Sequence, residues 1–337
     1  MSAPGSVLCL GDYHADIILQ AAAAPAVDAA LLADIAQGRP VPGITYASGG
    51  VGGSVCAAIA RLGVPARPLG VVGDDFLGRY ARQVLAPLGV DTTYLHTDPH
   101  RRTMMVLCHI AGDGERSFSY GFPMEQAADV FFYPQHAPDS ALAGAAALYV
   151  SGIQLIFSPG CDTAIELMER CRSRGIPVAM DLNLRPDNFA LDDALQKRYR
   201  RAIDLCDIVF GSGEEELMPL IGAATPLAAA RQLAARAKVA VCKLGAQGAL
   251  VCGPNGGYRL AGYPAQVADT VGAGDTFVGG FLARYVQDGD LAGSLQWGCA
   301  AGSYSVRFTG AGHSPDRSQM SALLAENSHI LPQTLPL

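Results

Sequence analysis

Short apolar runs alternate with helix-periodic segments along most of this chain, and that alternation limits its fold more than any other feature. Residues 7–10, 68–72, 148–150, 178–181, 208–210 and 239–243 read as buried strands. Between them, segment 54–62 is closed by Gly63 and segment 164–174 by Gly175. Segment 226–238 opens from Thr225 with Pro226 at its first helical position. Strand and helix in repetition predict an α/β fold built on a mainly parallel sheet. With 337 residues, half of them hydrophobic, the chain can bury one large core or a core with an appended subdomain.

Several segments break the alternation. Residues 14–19 read as a strand directly after Gly11-Asp12, and 44–47 as another. Residues 103–110 and 116–120 read as a hairpin around Gly112-Asp113-Gly114, where Asp-Gly is the turn signal. Together these strands, within about 12–20, 43–48 and 101–122, predict a small sheet outside the core, acting as a lid that excludes water. Segment 21–42 is Ala-rich and then helix-periodic over 27–37, closed by Gly38 and Pro40, which predicts an inserted helix in the lid connection. No internal repeat and no clear linker interrupts the chain, so 1–337 is expected to form a single domain.

The stretch Asp269-Thr270-Val271-Gly272-Ala273-Gly274-Asp275-Thr276-Phe277 carries the chemistry. A glycine-rich turn holds two carboxylates six positions apart, and Phe277, Val278, Phe281, Leu282 and Tyr285 then mark one face of a helix. Asp275 therefore falls at a helix N-terminus, where unpaired N–H groups and the helix dipole bind anions. A carboxylate beside a bound phosphate can accept a proton from an incoming hydroxyl. Read locally, the same residues also suit an N-cap and a tight turn.

Other constellations bear on the same chemistry. Gly49-Gly50-Val51-Gly52-Gly53-Ser54 precedes a helix but lacks the G-x-G-x-x-G spacing, and no GxxxxGK[ST] is present, which excludes a P-loop enzyme. Gly11-Asp12-Tyr13-His14-Ala15-Asp16 leads from the first strand into the lid, and a carboxylate there can accept hydrogen bonds from neighbouring hydroxyls of a polyol. Asp181-Leu182-Asn183-Leu184-Arg185 follows a buried strand, at the carboxyl end where open α/β sheets bind ligands. Gly211-Ser212-Gly213-Glu214-Glu215-Glu216 opens a helix with acidic residues, which the dipole alone would favour.

Taken together, these strings resemble the PfkB-type, ribokinase-like carbohydrate kinases, in order and from about residue 7 to residue 315. The resemblance implies a three-layer α/β/α core with a β-sheet lid and an ATP- and Mg2+-dependent transfer of phosphate to a primary hydroxyl of a small sugar. It implies Asp275 as the base, with the backbone of Gly272, Ala273 and Gly274 as the anion hole and Arg185 beside the phosphoryl group. Asp16, His14, Gly49, Gly50 and Ser54 match the sugar contacts, though the family usually has Asn at Ser54 and ribokinases proper have Asn at His14 and Lys at Val51. Asn183, Lys243, Gly245, Gly248 and Thr270 match the nucleotide side. Glu216 matches the Glu that organises Mg2+ and its waters, while Gly213 replaces the Asn of that motif. Asp269, Val271, Ser305, Phe308, Gly310 and Ser314 match the surround of a monovalent cation such as K+. Val72-Gly73-Asp74-Asp75 is also typical of the family, with Asp74 or Asp75 expected only to cap a helix. The resemblance further implies a homodimer joined through the lid.

Three rival functions stay open at this stage: a nucleoside kinase, a phosphosugar kinase drawing on Arg102 or Arg116, and a non-catalytic sugar or nucleotide sensor. A nucleoside kinase would need an apolar or aromatic slot beside the sugar, and none can be located in the sequence. Composition narrows the rest. A net charge of −7 with scattered basic residues gives no footprint for nucleic acid or for a membrane surface. Nine cysteines without a CxxC pair, and seven histidines without HxH or HExxH spacing, point to reduced thiols and no transition-metal cage. With no signal-like or membrane-length apolar stretch, the expected location is the cytoplasm.

Overall fold

The computed structural model describes residues 5–20, 27–110, 116–186 and 188–335, apart from the side chains of Gln20 and Arg116. In chain order its strands are β1 (Ser6–Leu10), β2 (His14–Gln20), β3 (Ile44–Gly49), β4 (Ala66–Gly73), β5 (Leu95–Asp98), β6 (Met105–Ile110), β7 (Arg116–Tyr120), β8 (Ala145–Ser151), β9 (Val178–Asp181), β10 (Ile208–Ser212), β11 (Val239–Lys243), β12 (Ala249–Gly253), β13 (Gly256–Leu260) and β14 (Gln333–Leu335). The helices are α1 (Ala29–Gln37), α2 (Val51–Arg61), α3 (Phe76–Leu85), the single turn α4 (Asp139–Leu142), α5 (Gly160–Ser173), α6 (Asp193–Leu205), the single turn α7 (Met218–Ile221), α8 (Pro226–Ala237), α9 (Ala273–Asp288), α10 (Leu291–Ser305) and α11 (Arg317–Glu326).

Ten strands form one sheet in the order β14-β13-β12-β11-β10-β9-β8-β1-β4-β5, parallel from β11 to β5 and antiparallel from β11 to β14. Alternate residues of the central strands serve different cores. Leu8 and Leu10 of β1 join a cluster with α5, α6 and α8, whereas Val7 and Cys9 join one with α2, α9 and α10. Burial on both faces explains why these strands read as continuous apolar runs rather than as alternating ones. The result is the three-layer α/β/α arrangement.

The second sheet, ordered β3-β2-β6-β7, is the lid. On β2 the period of two separates two jobs. Ala15, Ile17 and Leu19 pack with Leu31 and Ile35 of α1 and Leu77 of α3, which leaves His14 and Asp16 on the opposite face. Helix α1 starts where Asp28 accepts from the Leu31 N–H at 2.8 Å and stops at Gly38, whose φ of 69° is left-handed. It covers the back of the lid. The Gly112-Asp113-Gly114 turn and residues 21–26 lie outside the described residues.

One helix start and several strands differ from the sequence reading. Helix α2 begins at Val51, not at Ser54, so Gly52 and Gly53 are helical. A Cβ on Gly52 would come within 2.8 Å of the Gly11 backbone, so close approach of α2 to the β1–β2 turn overrides the poor helix propensity of glycine. Of the two caps expected for α3, Asp75 is the one that serves, and it also accepts from the Thr103 N–H and hydroxyl at 2.7 Å. The β12–β13 hairpin and the edge strands β5 and β14 were not anticipated. No helix among the described residues is long and apolar enough to cross a membrane.

Candidate active site

A cleft of about 870 Å3 runs between the lid and the carboxyl ends of the parallel strands. At one end is the start of α9. Gly272 occupies the N-cap position with a φ of 75°, which favours glycine, and Asp275 stands in the first turn. The Val271 N–H donates to Asp269 Oδ1 at 3.1 Å and the Ala273 N–H to the Thr270 carbonyl at 3.2 Å. The N–H groups of Gly272 and Gly274 have no backbone acceptor among the described residues, whereas that of Ala273 is already paired, so two of the three expected donors are left for an anion at this helix start. Burial raises the Asp275 carboxyl to about 7, although Arg185 and Lys243 pull it down.

Beneath this helix end lies a charged lattice. Asp181 is fully buried and accepts from Lys243 Nζ at 2.7 and 2.9 Å. A Cβ on Gly274 would sit 3.4 Å from the same ammonium, so the lysine reaches right under the cradle. Glu216 accepts from the Leu184 N–H at 2.8 Å and the Ser212 N–H at 2.6 Å, and burial raises its carboxyl despite the nearby Lys243. It lies in a π-helical turn, Gly213–Leu217, an irregularity common at functional sites. A Cβ at Gly213 would meet Cys242, Leu244 and Pro226 at 3.0–3.1 Å, so a larger residue there would require these neighbours to give by a few tenths of an ångström. Asn183 and Arg185 both adopt left-handed backbone (φ 46° and 50°), strain that the surrounding fold sustains beside the cleft.

The other end is acidic. His14 lies between Asp12, 3.5 Å from its Nδ1, and Asp16, 3.4 Å from its Nε2. Burial lowers the imidazole pKa, but Asp16, Asp12 and Asp129 outweigh it and raise the pKa overall. Asp129, which the sequence reading missed, lines the same pocket, and burial with the Asp12 charge raises its carboxyl to about 7. It sits in a 3-10 turn, Ala128–Phe131, with no motif to flag it. Gly49 is needed because a Cβ would come within 2.4 Å of Asp16 Oδ1, and Gly50 because its φ is 81° and a Cβ would meet the Asp12 carbonyl at 2.4 Å. The Ser54 hydroxyl is buried, lines the cleft and has no hydrogen-bond partner among the described residues, so it is left with capacity for a ligand.

The remaining candidates are more dispersed. Thr270 and Val271 line the cleft; Gly245 and Gly248 do not. Gly248 is held by its φ of 90° and by the Leu260 carbonyl, a packing role. Asp269 also accepts from the Gly310 N–H, tying the two loops together. The Ser305 hydroxyl donates to the Gly302 carbonyl, Phe308 stacks on His313, and the buried Ser314 hydroxyl has no hydrogen-bond partner among the described residues. Arg102 is exposed and outside the cleft lining. Among the described residues no group of three or more His, Cys, Asp or Glu side chains is disposed to hold a metal ion by itself.

A model of the pfkB family carbohydrate kinases matches residues 23–317. The chain belongs to that family. Family membership makes it an ATP-dependent carbohydrate kinase. It is 32% identical to the aminoimidazole riboside kinase of Salmonella typhimurium (strain LT2) over 294 residues, 85% of this chain and 90% of that one. It is 34% identical to the fructokinase of Escherichia coli over 236 residues, 69% and 75% of the two chains. A solved fructokinase from Vibrio cholerae O395 with fructose, ADP and calcium bound superimposes with a TM-score of 0.78 at 29% identity, covering 95% of this chain and 99% of that one. Relatives named for different acceptors are thus each about a third identical to this chain.

Proposed function

We propose that the enzyme transfers the γ-phosphate of ATP to a primary hydroxyl of a small neutral sugar. One observation carries this reading: a single cleft holds a helix N-terminus with its carboxylate at one end and a cluster of polyol-binding groups at the other. Asp275 takes the hydroxyl proton as the oxygen attacks phosphorus, a role suited to a carboxylate poised near neutral pH. The Gly272 and Gly274 N–H groups and the Arg185 guanidinium hold the negative charge that develops on the transferring group. Lys243 lies under the same helix end, with Asn183 and Thr270 on the nucleotide side. Asp16, His14 and Ser54 orient the sugar, and Gly49 and Gly50 let it approach the backbone.

Mg2+ fits this donor set as an ion held by phosphate oxygens and water, which is how Mg2+ is usually bound beside nucleotides. Both Glu216 oxygens already accept backbone N–H groups, so Glu216 would orient the ion's water and not replace it. When bound, Mg2+ supplies charge neutralisation at the phosphates. The Asp269–Gly310 link and the unpartnered Ser314 hydroxyl suit a monovalent cation held mainly by carbonyl oxygens of Val271, Ser305, Phe308 and Gly310.

Three carboxylates around one imidazole, with no described basic side chain beside them, disfavour a phosphorylated acceptor. Helix α1 covers the back of the lid, so a second copy would pair along the outer strands β3 and β7; sedimentation of a β7-edge proline variant tests that homodimer. The decisive experiment is ADP release with a panel of fructose, ribose, 2-keto-3-deoxygluconate, adenosine and fructose phosphates. ADP release that ignores every acceptor would overturn the assignment and favour a sensor.

A further inference from the structure

One exposed arginine lies within electrostatic reach of both the base and the lid. Burial raises the Asp275 carboxyl and the Tyr120 hydroxyl, and the Arg185 charge opposes it in both. Little packing holds this side chain, and its left-handed φ of 50° is one that a non-glycine residue rarely keeps unaided. Two anchors flank the strained residue. On the core side the Leu184 N–H donates to the buried Glu216 at 2.8 Å. On the other side the Arg185 carbonyl accepts from the N–H groups of Asn188 and Phe189 at 2.9 and 3.0 Å. Phe189 is seated edge to face on Phe157, with ring centroids 5.6 Å apart. Asn188 reaches further, and its Nδ2 donates to the Tyr120 hydroxyl at 2.6 Å.

Tyr120 ends β7, so this last bond joins the lid sheet to the residues that carry Arg185. The Glu216 anchor stays with the core whatever the lid does, whereas the Tyr120–Asn188 bond exists only while β7 lies against the core. We propose that the Tyr120–Asn188 bond is a clasp that sets Arg185 for phosphoryl transfer when the lid is down, which makes Tyr120 and Asn188 positioning residues of the reaction. Such a clasp withholds the guanidinium from the transferring group until the acceptor is enclosed, so water gains least from the catalytic machinery. The pair joins positions 68 residues apart, and no motif marks either of them in the sequence. The inference rests on the sugar-kinase reading and on the phosphoryl role of Arg185 within it.

The test is a pair of double-variant cycles, run with ATP and whichever of D-fructose, D-ribose, 2-keto-3-deoxygluconate and adenosine turns over fastest. Tyr120→Phe keeps the ring and removes only the hydroxyl, and Asn188→Ala removes its donor. Both side chains are exposed, and thermal unfolding checks that each variant keeps the fold. Each should lower kcat about 3- to 10-fold, the range of one hydrogen bond, with acceptor KM changed by less than about 2-fold. The double variant should be no slower than the slower single one. In an Arg185→Ala background Tyr120→Phe should have no further effect. The acid limb of kcat/KM in Tyr120→Phe should move to higher pH as the guanidinium leaves Asp275. Wild-type kcat in either single variant, additive losses in the first cycle or an unmoved limb overturns the clasp and leaves the kinase reading intact. So does a Tyr120→Phe loss that persists without Arg185 or falls on acceptor KM. Failure of every acceptor, with ADP release no greater than in Asp275→Asn, overturns the kinase reading itself.

Discussion

At the α9 end of the cleft each buried carboxylate has positive charge or backbone donors close by. Asp181 is bonded to Lys243, Glu216 to two N–H groups, and Asp275 feels Arg185 and Lys243. At the lid end Asp12, Asp16 and Asp129 gather around the single imidazole of His14. Burial pushes Asp275 and Asp129 up to the same value, about 7, yet only Asp275 stands at a helix N-terminus beside free donors. A raised carboxyl alone therefore does not single out the proposed base; the neighbouring electropositive helix end does. The excess of acceptors at the lid end suits hydroxyl donors, which bring no charge of their own.

The strongest way to break this contrast is Asp275→Asn. Loss of the base should lower kcat by about 10²- to 10⁴-fold while acceptor KM changes little. Because the folded-state pKa is raised, wild-type kcat/KM should climb through pH 7 as the carboxylate forms, and the Asn variant should lose that limb. Steady-state kinetics from pH 5.5 to 9 reads both. Full activity in the Asn variant would sink the role of Asp275.

Lys243→Met comes next, because it removes the cation that the lid end lacks. Asp181 would then be buried without its partner, at a cost of about 2 kcal/mol in urea unfolding. That is below the range for fully buried pairs because the Lys243 side chain is 16% exposed. Lys243 also lowers the Asp275 pKa, so the acid limb of the rate profile should move to higher pH. A destabilised variant whose limb has not moved would reduce Lys243 to a structural partner of Asp181.

The two ends also differ in how legible they are in sequence. Asp275 and its cradle lie in nine consecutive residues, and a glycine turn running into helix periodicity can be read directly. Likewise β1, β9, β10 and β11 are apolar runs because both their faces are buried. The lid end is assembled from β2, α2 and the 3-10 turn holding Asp129, more than a hundred residues apart. Nothing local links Asp129 to His14; only the tertiary packing does. The edge strands β5 and β14 lack the long apolar run that a buried strand demands, since Gln333 and Thr334 are exposed. Helix α2 was read three residues short because Gly52 and Gly53 look like a loop until the closeness of Gly11 is known.

Gly49→Ala tests the lid end without touching a charge. Its Cβ would collide with Asp16 at both the carboxylate and the backbone nitrogen, at 2.4 and 2.8 Å, and displace the carboxylate from the acceptor. Losing one charge-assisted hydrogen bond of about 1.5 kcal/mol should lower kcat/KM for the acceptor roughly 10-fold. The KM for ATP should stay near wild type, because the proposed nucleotide site is at the other end. An equal loss for both substrates would mean that the two ends move as one body.

The smallest effect expected is that of Asp129→Asn, and its pH dependence is what separates it from ordinary repacking. The native carboxyl binds its proton up to about pH 7, whereas the unfolded one releases it near 3.8. Native protein therefore holds the extra proton between those values, and the stability associated with the neutral form is lost as pH rises through 7. Asparagine imitates the neutral form throughout. Its advantage over the wild type should be absent at pH 4, grow through pH 7 and level off by pH 8 at about 1 kcal/mol, the cleft's water having weakened the full shift. Thermal unfolding of both proteins at pH 4, 6 and 8 reads that growth. A constant difference across pH would mean that Asp129 is ionised in the fold already, with His14 as its counter-ion. The lid end would then be balanced much as the α9 end is, and the contrast between the two would rest on geometry alone.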